Sequence, residues 1–131
     1  WRTSMFAAQL YTNMKRYGEA IDQTRKAIEL NPRFVQGRLN LALLLRRAGR
    51  VQEAIQTYTE LIEERPNYGQ AYQGLAELYA QNQDYQQAVD VLRGWLNRNP
   101  SDAGAQKRLK QYEQILSGPA TAPADTSPGP N

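Results

Sequence analysis

Cysteine and histidine are both absent from this 131-residue chain. That removes thiolate nucleophiles, disulfides, thiolate or imidazole metal ligands, and the side chain best suited to proton transfer near neutral pH. Most catalytic and metal-site templates are closed on that ground, so the expectation is a non-enzyme with no catalytic residue, no metal and no cofactor. The adjacent carboxylates Glu63 and Glu64 do not change this, because successive helical positions diverge and read as a solvated face. Long apolar runs are also missing. The longest, Leu41 to Leu45, falls far short of the roughly 20 residues that span a bilayer, so no direct membrane insertion is expected. Charge of one sign is not concentrated either: 16 basic and 13 acidic residues are interleaved, for a net charge of +3. Glu53, Glu60, Glu63 and Glu64 interrupt the continuous basic stripe that a nucleic-acid partner would require. An initiator methionine is lacking too. The chain starts at Trp1 with no basic segment leading into an apolar one, and reads as an excised or processed part of something longer. A tether would lie before Trp1. The compartment is left open between cytoplasm and periplasm, and the Pro/Ala/Thr-rich end hints at a bacterial source.

What the sequence does contain is a period. Pro32, Pro66 and Pro100 are 34 residues apart, and the spacing recurs in Ala8, Ala42 and Ala76; in Ala20, Ala54 and Ala88; and in Ile21, Ile55 and Val89. Glu19, Glu53 and Gln87 follow it, as do Tyr11, Leu45 and Tyr79. Within each copy the apolar positions are three and four apart, the helical period. Each copy is therefore two amphipathic helices, predicted at about 3–14 and 18–30, 36–48 and 52–64, and 70–82 and 86–98. The repeated alanines let two antiparallel helices approach closely. Each proline disfavours helical geometry in the residue before it and ends the second helix.

This pattern resembles the tetratricopeptide repeat family over residues 1–102, without an insertion or deletion. The resemblance implies an all-α fold, a right-handed α-solenoid of antiparallel helix pairs. The copies fall at 1–34, 35–68 and 69–102. Ser101-Asp102 offers an N-cap to a seventh, capping helix at 103–116, with Leu109, Tyr112, Ile115 and Leu116 on its packed side and Lys107, Arg108 and Lys110 outward. Residues 117–131 hold four prolines, one charge and no large apolar residue, and are expected to be a disordered tail. Trp95, where the family has a small residue, is expected to fill the junction with the capping helix.

In this family the first helix of each repeat lines a concave groove that holds a segment of a partner. Carried onto this sequence, that surface comprises Met5, Gln9 and Asn13 in the first copy. The second contributes Gln36, Leu39, Asn40, Leu43, Arg46 and Arg47, and the third Gln70, Gln73 and Glu77. The amides can pair with an extended backbone and the leucines can receive an apolar side chain. The chaperone-binding subset of the family grips a terminal carboxylate at positions that here hold Met5, Gln9, Asn40, Gln70 and Gly74. Only Asn40 matches, which argues against that ligand. The expected function is a protein-interaction scaffold or adaptor that binds another protein or a peptide segment and aids assembly of a larger complex. The alternative is a C-terminal accessory domain of a larger enzyme or membrane-anchored protein. Self-association through Trp1, Met5 and Phe6 of the first helix is a further expectation.

Overall fold

The computed structural model describes residues 1–124 and, among these, contains seven helices and no strand. They are α1 (Arg2–Asn13), α2 (Tyr17–Leu30), α3 (Val35–Arg47), α4 (Val51–Glu64), α5 (Gly69–Gln81), α6 (Tyr85–Arg98) and α7 (Ala103–Ala124). The first six begin one residue before the positions expected from periodicity.

The backbone repeats as faithfully as the side chains. Asn31, Arg65 and Asn99, each preceding one of the spaced prolines, end α2, α4 and α6 in extended geometry, with φ of −143°, −131° and −133°. The corner inside each pair is left-handed at Lys15, Gly49 and Gln83, with φ of 59°, 80° and 64°. In each, the residue after the corner donates its N–H back to a carbonyl of the first helix's last turn, at 2.8 Å: Arg16 to Tyr11, Arg50 to Leu45 and Asp84 to Tyr79. Glycine serves this geometry at one corner only; the other two accept its steric cost.

Packing divides the chain into two compact units, Trp1–Gly74 and the residues from Leu75 onward. In the first, α1 packs on α2, α2 on α3 and α3 on α4. Ala8, Ala20, Ala42 and Ala54 are buried at these crossings, together with Ile21, Leu44, Leu45, Tyr58 and Leu61. Arg38 donates to Glu64 and to the Pro32 carbonyl at 3.0 Å, tying α3 to the turn before it and to the end of α4. Gly74 carries no side chain because Tyr58 occupies the space: a Cβ there would lie 2.6 Å from the tyrosine ring. Phe6 and Leu10 on α1 and Met14 just after it are exposed, whereas Leu44 on α3, the register mate of Leu10, is buried. Trp1 is partly covered by Phe34, with ring centroids 4.4 Å apart.

In the second unit, α6 packs on α7. Ala76, Ala88, Leu92 and Ala105 form its centre, with Trp95, Leu96, Leu109 and Tyr112 packed around them. Trp95 fills the junction and is also clasped, its indole N–H donating to Asp102 Oδ2 at 2.8 Å. The other oxygen, Oδ1, accepts the Ala105 N–H at 3.1 Å and so caps α7. Three expectations for α7 need correction. The helix does not stop at Leu116 but runs to Ala124, with the Ser117 hydroxyl donating to the Glu113 carbonyl as it passes into the proline-containing stretch. Arg108 does not face outward: it pairs with Glu77 at 2.7 Å. Ile115 and Leu116 are exposed and do not belong to a packed side. The remainder of the expected tail, 125–131, lies outside the described residues.

The Asp102 clasp yields a prediction. The Trp95 indole, the Ala105 amide and the Gly104 amide all stabilise the carboxylate and hold its pKa below the usual value. A depressed folded-state pKa gives stability that is present above the ordinary carboxylate range and lost as pH falls through the folded value. Asp102→Ala should destabilise the second unit by about 1–2 kcal/mol. Asp102→Asn, which keeps an acceptor but cannot titrate, should flatten the acid limb of a urea-midpoint versus pH curve. An unchanged acid limb in the asparagine variant would contradict the assignment.

Candidate functional site

The first unit contains an open cleft of about 250 Å³, lined by Met5, Ala8, Gln9 and Thr12 from α1, Thr24 from α2, and Asn40, Leu43, Leu44 and Arg47 from α3. One lining position, that of Thr24, differs sharply in size between the copies. Thr24, Tyr58 and Leu92 share a register position, and all three are buried. Tyr58 extends a ring over Gly74. Thr24 is smaller by most of that ring, and it lines the cleft together with Asn40, the register mate of Gly74.

The polar groups of the lining are partly committed. The Thr12 and Thr24 hydroxyls donate to the carbonyls of Ala8 and Ala20, both at 2.8 Å, so Thr12 meets the cleft as an acceptor only and the fully buried Thr24 offers it no donor. Gln9 donates to Asn13 at 3.0 Å, and Gln36 donates to Asn40 at 3.1 Å. This leaves the Gln9 carbonyl and the Asn40 amide N–H groups available to a ligand. Arg47 is the single charged residue of the lining, and no acidic side chain reaches it. Neither Arg46 nor Arg47 has an ion-pair partner among the described residues, whereas Arg50 is held by Glu53 at 2.9 Å and does not join them. That pairing lowers the Glu53 pKa and raises that of Arg50.

Of the residues assigned to the groove from sequence, five come together here: Met5, Gln9, Asn40, Leu43 and Arg47. Asn13 and Gln36 stand beside them as hydrogen-bond partners of Gln9 and Asn40. Leu39 is not available: it is 8% exposed and belongs to the core. Arg46 is half-buried outside the lining. Gln70 and Gln73 are exposed on α5, Gln70 accepting from the Tyr68 hydroxyl at 2.8 Å. Glu77, in the second unit, is engaged by Arg108. Sequence reasoning did not place Thr24 in the site, although its small size next to Tyr58 and Leu92 at the same register was a visible signal. Among the described residues no cluster of acidic side chains could hold a metal ion, and no helix is long and apolar enough to cross a membrane.

Two tetratricopeptide repeat models match, one over residues 45–111 and the other over 7–68. The chain belongs to the tetratricopeptide repeat family. It is 30% identical over 111 residues to the small glutamine-rich tetratricopeptide repeat-containing protein 2 of Mycosarcoma maydis, covering 85% of this chain and 32% of that protein. It is 40% identical over 75 residues to human anaphase-promoting complex subunit 7, covering 57% of this chain and 13% of the subunit. The chain thus spans a third or less of these relatives. Among solved structures, the first tetratricopeptide repeat domain of Spaghetti (RPAP3), bound to an HSP90 peptide, superposes with a TM-score of 0.70 at 20% identity, covering 87% of this chain and 93% of that one. At that identity the likeness concerns the fold, an all-α tetratricopeptide solenoid.

Proposed function

We propose that this chain is a protein-interaction module that holds an extended segment of another protein in the cleft between α1, α2 and α3, and so aids assembly of a larger complex. The carrying observation is the open cleft lined with amide groups, two half-buried apolar side chains and one unpaired cation. Amide side chains offer a donor and an acceptor to a peptide backbone, and Met5 and Leu43 offer apolar surface to a side chain. A structure of the same fold with a peptide bound supports an occupant of this kind. The second reading, an accessory domain that localises a larger protein, draws on the short share of each relative that the chain covers. The cleft serves either reading.

The chain itself supplies the test. Thr24→Tyr with Asn40→Gly copies the Tyr58–Gly74 pair into the open position and should fill the cleft while leaving the helices intact. With a photo-crosslinking residue at Leu43, the parent should yield a discrete adduct in host extract and the filled variant should not, both being equally helical by circular dichroism. An adduct that survives filling would place the partner elsewhere and refute the assignment.

A further inference from the structure

The charge distribution around the cleft defines its occupant more narrowly. In the first unit three acidic side chains are engaged by arginines: Glu19 by Arg16, Glu53 by Arg50 and Arg25, and Glu64 by Arg38. Arg47 is left exposed at the last position of α3, pointing into the cleft without a counter-ion, with the unpaired Arg46 beside it. The partly negative end of α3 favours a cation there, which accounts for two arginines at the terminus. It does not account for one of them lining a cleft from which every carboxylate is absent.

We infer that the cleft recognises an internal acidic side chain of the partner segment, paired with Arg47 and adjacent to an apolar side chain seated on Met5 and Leu43. This rests on the reading that the cleft holds a partner segment, and adds which segment it selects. A planar guanidinium matches one carboxylate through two parallel N–H···O bonds, and a basic segment would meet Arg47 with nothing to offset it. The carboxylate is assigned to a side chain, not a chain end. A terminal carboxylate calls for several converging donors, and here both threonine hydroxyls already donate to their own helices, leaving Arg47 with the amides of Gln9 and Asn40. Those amides are what a continuing backbone uses.

Panning random peptides displayed with both ends in peptide linkage, so that no free carboxyl terminus exists, tests this directly. The probes are the parent, Arg47→Glu and Arg47→Gln, the last guarding against a fault caused by a carboxylate at a helix C-terminus. The parent should enrich peptides carrying aspartate or glutamate next to a large apolar residue. Affinity for synthetic copies should fall about 10- to 100-fold in both variants, the size expected for a charge-assisted bidentate contact, and weaken with added salt. Peptides that enrich but bind parent and both variants alike would overturn the Arg47 assignment and leave the module reading standing. Enrichment of no peptide at all, with the parent folded, would overturn both.

Discussion

Tyr58→Ala is expected to destabilise the first unit by about 3–5 kcal/mol, the usual range for deleting a buried aromatic ring. The side chain is fully buried, and its ring atoms fill the place of a side chain at Gly74. Removing it leaves a void bounded on one side by helix backbone, which cannot lean in without unseating α5. Against a typical domain stability of about 5–15 kcal/mol, the loss is a large fraction of the total. Urea unfolding followed by far-ultraviolet circular dichroism should show the midpoint drop without a fall in the slope. A change below about 1 kcal/mol would mean that α5 closes over the gap and that Gly74 is not held by the ring.

Ala54→Leu acts in the opposite sense, by adding volume where none is free. Ala54 on α4 and Ala42 on α3 are both 0% exposed, and two antiparallel backbones approach closely only where such residues face each other. Leucine brings three further carbons, which must enter an off-rotamer conformation or push the helices apart, at about 1–3 kcal/mol and with Leu45 and Leu61 disturbed in turn. Ala54→Ser, which adds one small atom, should cost less than half as much. If leucine is tolerated at parental stability, the alanine column is not what sets the helix spacing.

Such columns explain why the helices were legible in the sequence. Prolines 34 apart and alanines in register state where each helix ends and which face is buried, and both are short-range matters that a repeat displays three times over. The site was less legible because it depends on differences between copies. Leu39 and Met5 share a register position, yet Leu39 is core and Met5 lines the cleft. A rule read from one idealised repeat treats them alike, whereas burial depends on what the neighbouring helix presents: threonine at one step, tyrosine at the next. The Arg108–Glu77 pair joins residues 31 apart that follow no repeated spacing. The extension of α7 past Leu116 runs against the local proline content, and backbone propensity alone gave no sign of it.

The two tryptophans of the chain fall one in each unit: Trp1 against Phe34, and Trp95 bonded to Asp102. Each unit thereby contains its own optical reporter. Single Trp→Phe replacements turn the molecule into a pair of one-colour probes, one reading the turn between α2 and α3 and the other the clasp that holds α7. Whether the units melt together or in sequence then becomes a question of which indole changes colour first.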